Sequence, residues 1–182
     1  VCTFTNTAAP GQLKITKEVD NTNGGSATAA DWNQELYAAL GDSSTYFDSG
    51  ETIDVAAGVY SIGENPALDG SAREGYELVS ITCDGTELDL TDPTVVVANG
   101  DLVECVVTNA SIAPTIELIK VVDTREWGGS ALPTQWLLSA TAGDDDPSVS
   151  GNGTAEGPIK AGVEYTLAET GLAGFSLTSL TC

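Results

Sequence analysis

Histidine and methionine are absent from the 182-residue sequence, and cysteine occurs only four times. General bases, nucleophiles and metal ligands are drawn heavily from these side chains, so an ordinary enzyme or a metal site has little to build with. Basic residues are equally scarce: 6 Lys and Arg stand against 27 Asp and Glu, a formal net charge of -21. A field of that sign repels nucleic-acid phosphates and anionic membranes and excludes both as partners. The acids fall singly between apolar and Thr, Ser or Gly positions, the pattern of a solvated surface. Asp144, Asp145 and Asp146 are the one acidic run; without regularly spaced loop ligands they fit a solvated turn better than a calcium site, and neither cofactor nor metal is expected. No apolar run reaches membrane length, and neither a signal peptide nor a sorting tail is seen, so the expectation is a mature segment of something larger.

What is present is enough apolar residue, 41% of the chain, to fill a core. Cys2, Cys83, Cys105 and Cys182 are far apart, with no C-x-x-C pair, which favours disulfides formed in an oxidising compartment and therefore export. The chain also repeats itself. Leu13-Lys-Ile-Thr-Lys17-Glu-Val-Asp20 returns as Ile116-Glu-Leu-Ile-Lys120-Val-Val-Asp123, a shift of 103 residues. Gly-Gly-Ser-Ala follows at Gly24 and at Gly128, then Trp32 and Trp136, which we expect as core anchors. Ala57-Gly58-Val-Tyr60 through Glu64 matches Ala161-Gly162-Val-Glu-Tyr165 through Glu169. Gly75-Tyr76 with Cys83 matches Gly174-Phe175 with Cys182 at identical spacing. The first module continues to Cys105-Val-Val-Thr-Asn109, whereas the second stops at Cys182. The opening Val1-Cys2-Thr-Phe-Thr-Asn6 carries the same Cys-x-x-x-Asn pattern, as if cut from the end of a preceding module.

Segments 13–19, 94–98, 101–108 and 134–141 are short, rich in Val, Ile, Leu, Thr and Tyr, and bounded by Gly, Pro, Asn or Asp, which predicts strands. Residues 28–40 have helical propensity, but Trp136-Leu-Leu-Ser-Ala in the matching place argues for a strand. The expected fold is all-β, two tandem Ig-like or prealbumin-like β-sandwich modules joined near Ser111 to Pro114. Residues 10–110 form module one. Residues 111–182 form module two without its last strand, and residues 1–9 are the last strand of a preceding module or a donor strand.

Alternate residues of a strand share a face. Leu13, Ile15, Lys17 and Val19 therefore go together, as do Tyr60, Ile62 and Glu64, and Val103, Cys105, Val107 and Asn109. Each set carries one polar misfit. Module two repeats two of them, Lys120 after Ile116 and Leu118, and Glu169 after Tyr165 and Leu167; Asn6, aligned with Cys2 and Phe4, would supply the third. A buried Lys, Glu and Asn are each costly alone, so if inward they must meet, either as an ion pair bridged by an amide or as reacting groups.

The order Lys-x-x-Asp (Lys17 to Asp20, Lys120 to Asp123), then Tyr-x-x-x-Glu followed by Gly-Tyr or Gly-Phe, then a last strand ending in Asn, resembles the Cna B-type, or SpaA-like, prealbumin-fold modules. These are repeated in surface adhesins and pilins of Gram-positive bacteria. The resemblance covers residues 10–109 and 114–182. It implies an intramolecular isopeptide bond, in which the Lys amine attacks the Asn amide carbon, ammonia leaves and the carboxyl shuttles protons. Carried over, Lys17, Glu64 and Asn109 form the bond in module one, while Lys120 and Glu169 await an Asn equivalent to Asn6. Burial disfavours the charged forms of both amine and carboxyl, and folding supplies the proximity. Two features depart from the family: an insertion, Asn65 to Glu74, replaces the usual aromatic-Pro-Gly-Tyr stretch, and the Cys pair is atypical of lysine-linked modules.

Cys83 and Cys105 lie on strands expected to be neighbours and should form a disulfide worth roughly 3 kcal/mol in the chain-entropy model. By repetition Cys182 needs a Cys2-type partner. Residues 1–7 of one copy could complete module two of the next by donor-strand exchange, or the segment derives from one continuous polypeptide. Asn109-Ala-Ser111 and Asn152-Gly-Thr154 match glycosylation acceptors by chance-level tripeptides. The function implied is a non-enzymatic structural segment of a surface stalk, pilus-like fibre or filament, extracellular on a bacterial cell, whose partners are neighbouring modules or copies of itself. The alternative is an adhesin that binds a protein or glycan through its loops, for which Trp127 is the only hint.

Overall fold

The computed structural model describes residues 1–65, 74–125 and 128–182. The chain divides into two compact units, Val1–Ile112 and Ala113–Cys182. Unit 1 contains β1 Gly11–Asp20, β2 Leu36–Leu40, β3 Ser43–Phe47, β4 Thr52–Val55, β5 Gly58–Glu64, β6 Tyr76–Cys83, β7 Thr86–Glu87, β8 Thr94–Val97 and β9 Leu102–Ser111. Unit 2 contains β10 Thr115–Ile119, β11 Leu137–Thr141, β12 Val149–Asn152, β13 Thr154–Pro158 and β14 Thr166–Thr170. The architecture is two tandem β-sandwich modules.

Unit 1 packs a sheet of order β4-β1-β9-β6-β7 against one of order β3-β2-β5-β8. Period-two alternation drives this: in β1, Leu13, Ile15 and Lys17 are buried while Gln12 and Glu18 are exposed, and in β9, Val103, Cys105, Val107 and Asn109 are all buried. With Leu36, Phe47, Tyr60, Ile62 and Ile81 these side chains fill the space between the sheets. The first and last strands are direct neighbours, running parallel from Gln12 opposite Leu102 to Asp20 opposite Ala110.

Unit 2 repeats the first half of that plan. β10 pairs antiparallel with β13 as β1 does with β4, and β11 lies between β12 and β14 as β2 lies between β3 and β5. Trp136, Leu138, Ala140, Val149 and Ala155 form its core. Among the described residues, β10 has no ladder on its second edge, and residues 175–182, which match β6 in sequence, form no strand.

Two boundaries differ from the sequence expectation. Within residues 28–40 only Ala29–Trp32 is helical, a single 3₁₀ turn before β2. Residues 134 and 135, expected in a strand, belong to a matching 3₁₀ turn, Pro133–Gln135, and β11 begins at Leu137. Local hydrogen bonds outweigh extended propensity in both places. The Asp31 carboxylate accepts from the Thr28 backbone N–H at 2.7 Å, and the Gln135 side-chain oxygen accepts from the Leu132 N–H at 2.8 Å. Each turn carries its tryptophan inward, leaving Trp32 and Trp136 buried.

Candidate functional site: a buried Lys-Glu-Asn ring

Three strands of unit 1 meet around one lysine. Inward parity on β1 sends Lys17 into the core, where its side chain has no exposed surface. β9 lies beside β1 in the same sheet and contributes Asn109, opposite Val19 and so two residues along the strand from Lys17. Glu64 ends β5 in the opposing sheet. Lys17 Nζ donates to Glu64 Oε2 at 2.7 Å and to Asn109 Oδ1 at 2.5 Å, and Asn109 Nδ2 donates to Glu64 Oε1 at 2.7 Å. The ring is closed, with every edge a hydrogen bond.

An aromatic lid shields this ring. The Trp32 ring lies 4.8 Å from Lys17 Nζ, and Tyr76 packs edge-on against Trp32 at 5.6 Å. The Tyr76 hydroxyl donates to Asn21 Oδ1 at 2.5 Å and accepts from the Ala27 N–H at 2.8 Å. Gly25 lets this loop approach, since a Cβ there would fall 2.1 Å from the Tyr76 hydroxyl oxygen. Sequence reasoning placed the tryptophans in the core but missed their position over the lysine amines; a Trp at the same place in both repeats was the available signal.

The arrangement holds the groups that amide exchange requires. The amine contacts the amide oxygen, and one carboxyl contacts both the amine and the amide nitrogen that would depart. As a static ion pair the ring would add little net stability, because removing two charges from water offsets most of their attraction.

Unit 2 carries two of the three members. Lys120 Nζ lies 2.6 Å from Glu169 Oε2 and 5.1 Å from the Trp136 ring, on which Phe175 packs edge-on at 5.2 Å. This pair is more open, with side-chain exposures of 12% and 22%. It faces a cleft of about 740 Å³ bounded by β10, Trp136, Leu167 and residues 175–182. Asn6 and Cys2 lie in residues 1–10, which are exposed and form no strand.

Cys83 and Cys105 stand directly opposite each other on β6 and β9 and form a disulfide, with Cα atoms 4.1 Å apart. Cys2 and Cys182 are free and exposed. Asn109 is buried within the ring and is no accessible glycosylation acceptor, whereas Asn152 is exposed at the end of β12. No group of three or more metal-ligand side chains occurs among the described residues, and Asp146 pairs with Lys160 at 3.3 Å. Trp127 and most of the Asn65 to Glu74 insertion lie outside the described residues.

The sequence profile of the prealbumin-like fold domain matches residues 8–107 and again residues 112–182. The chain belongs to the SpaA-like prealbumin-fold family. Both prealbumin-like modules are covered, and the two matches divide where the two units do. Among solved structures, the Bacillus anthracis TIE protein is similar to this prealbumin-like chain with a TM-score of 0.53 and 18% identity, over 94% of this chain and 30% of that one. At that identity the likeness is one of fold. No curated protein matches the chain.

Proposed function

We propose that this chain is a non-enzymatic structural segment of an extracellular stalk or pilus-like fibre on a bacterial surface, with unit 1 locked by an isopeptide bond between Lys17 and Asn109. The observation that carries this reading is the closed ring of Lys17, Glu64 and Asn109, with the lysine side chain fully buried. Proton transfer from Nζ to Glu64 along their hydrogen bond leaves a neutral amine, which attacks Cγ of Asn109. The Nζ–Cγ bond forms, Glu64 gives that proton to Nδ2 and takes a second one from Nζ, the Cγ–Nδ2 bond breaks, and ammonia leaves with the remaining proton held on Glu64 or carried off as ammonium. Trp32 and Tyr76 keep water from the acyl carbon. One turnover per molecule suffices.

The mechanical logic follows from topology. Tension applied at the start of β1 and the end of β9 loads two parallel neighbours in shear along their whole ladder. A covalent bond between these strands carries that load past everything between them, and the Cys83–Cys105 disulfide ties β9 to β6 as well.

Intact mass of the reduced chain tests the chemistry: ammonia loss lowers it by about 17 Da, and a peptide joining Lys17 to Asn109 locates the bond. A reduced mass equal to the sequence mass, with unlinked Lys17 and Asn109 peptides, overturns it.

A further inference from the structure

Strand β6 serves two places whose spacing does not suit a flat strand. Tyr76 and Cys83 are an odd number of residues apart, so regular alternation would put one inward and the other in water. Both face inward. Cys83 is opposite Cys105 and Ile81 opposite Val107, while towards the start of the strand Leu78 is opposite Asn109 and Tyr76 opposite the buried Ser111. The register shifts between Leu78 and Ser80, a bulge that gives Val79 no partner and leaves it exposed. Alternation carried on from Cys83 without that shift would bring Val79 inward and turn Tyr76 out to solvent.

The bulge therefore delivers the Tyr76 hydroxyl to the loop that carries the lid. Residues 21–28 connect β1, which bears Lys17, to the 3₁₀ turn Ala29–Trp32. This loop wraps the hydroxyl, which donates to Asn21 Oδ1 and accepts from the Ala27 N–H, while Asn21 Nδ2 donates to the Ala27 carbonyl at 2.9 Å. Asn23 fastens the same loop to the end of β9 by donating from Nδ2 to the Ser111 carbonyl at 2.6 Å. Ala27 leads directly into the turn capped by Thr28 and Asp31, so fixing Ala27 fixes the Trp32 ring 4.8 Å from Lys17 Nζ.

We infer that Tyr76 is a positioning residue for the crosslink of unit 1: through the Asn21–Ala27 loop its hydroxyl holds Trp32 over the Lys17 amine, so that the amine and not water takes the acyl carbon of Asn109. This rests on the isopeptide reading above. Two nucleophiles compete for one carbon. Attack by Nζ gives the crosslink and releases ammonia. Attack by water forms a Cγ–O bond and breaks the Cγ–Nδ2 bond; one water proton leaves with the nitrogen as ammonia and the other stays on, or ionises from, the new carboxyl. That second path leaves an aspartate at position 109 and a free lysine. The crosslinked chain is about 17 Da lighter than the sequence mass, and the hydrolysed chain about 1 Da heavier.

The test is to recover the full chain from inclusion bodies in denaturant at the unreacted mass and refold it by dilution in a glutathione redox buffer. Intact mass after reduction is followed over time, and peptide mapping locates each product. Wild type should end in the lighter species. Tyr76→Phe keeps the ring edge against Trp32 and loses both hydrogen bonds of the hydroxyl. It should crosslink roughly three- to tenfold more slowly and accumulate aspartate at position 109. Asn21→Ala removes the acceptor from the loop and leaves Tyr76 in place, so it should divert chains to the same product and carries the test if Tyr76→Phe does not fold. The two substitutions together should do less than the sum of their separate effects on ln(rate), because they break one latch. Tyr76→Phe in a Lys17→Met chain, which cannot crosslink, measures the purely structural cost as a shift in Tm.

Three outcomes overturn the inference. Both variants crosslink at the wild-type rate without aspartate at position 109; the crosslink then stands and the latch does not. The variants slow only in proportion to their loss of folded chain, again without aspartate, and Tyr76 is then packing alone. The wild type itself never becomes lighter, and the crosslink falls together with the latch. The wild-type mass thus tells the failure of one from the failure of the other.

Discussion

Replacing Asn109 by Ala removes the acyl partner of Lys17 and with it the proposed bond, and the loss in stability follows from chain topology. Lys17 and Asn109 are 92 residues apart, of which the Cys83–Cys105 disulfide already closes 22. The loop that the isopeptide alone constrains is thus about 70 residues, and closing a loop of that size stabilises by about 4 kcal/mol in the chain-entropy model. For a unit of this size each kcal/mol moves Tm by roughly 4–8 °C, so the crosslink accounts for roughly 15–30 °C. Loss of the amide's own hydrogen bonds adds about 1–3 kcal/mol. Calorimetry of wild type and Asn109→Ala, with the disulfide kept oxidised and intact masses recorded, measures the difference in the unit 1 transition. Lys17→Met removes the same crosslink while leaving a different set of polar groups, and its Tm should fall by a comparable amount. If the wild type carries no mass deficit and Asn109→Ala lowers Tm by no more than the about 1–3 kcal/mol of the lost hydrogen bonds allows, the ring is a hydrogen-bonded ion pair and the reasoning from loop closure fails.

Two further outcomes are expected. Gly25→Ala would place a Cβ 2.1 Å from the Tyr76 hydroxyl oxygen and 2.6 Å from Asn21 Oδ1. It should destabilise unit 1 by about 1–3 kcal/mol, read as a lower urea midpoint at unchanged slope. Asp123 is held at about 2, below its ordinary 3.8, first by the side-chain hydrogen bond from Arg125 and then by the Arg125 backbone N–H. A depressed carboxylate contributes to the folded state above its ordinary titration range and loses that contribution as pH falls towards about 2. Arg125→Ala should raise the Asp123 midpoint towards 3.8 in a carboxyl NMR titration, and an unmoved midpoint would show that the guanidinium is not the cause.

The sandwich fold was legible because strand parity and the internal repeat are both written in the order of residues. Leu13, Ile15 and Lys17 alternate with polar neighbours, and that alternation alone points Lys17 inward. What residue order does not record is which strands become neighbours. Asn109 reaches Lys17 because β9 lies parallel to β1 with Asn109 two positions ahead, a register set by packing of the whole unit. The 3₁₀ turns escaped notice for a different reason. Their capping bonds, from Thr28 to Asp31 and from Leu132 to Gln135, are short-range contacts that pattern matching over longer windows averages away. Tyr76 was read as a repeat landmark, and only the fold shows it joining Asn21, Ala27 and Trp32 into one lid.

Parallel pairing of the first and last strands of unit 1 also fixes where the polypeptide arrives and departs. An antiparallel pair would return the chain to the pole at which it came in. Here β1 and β9, ten residues each, both run the same way, so arrival and departure are separated by about 30 Å along the strand direction. The loops between the strands of unit 1 are therefore free to vary in length without changing the distance between those two points.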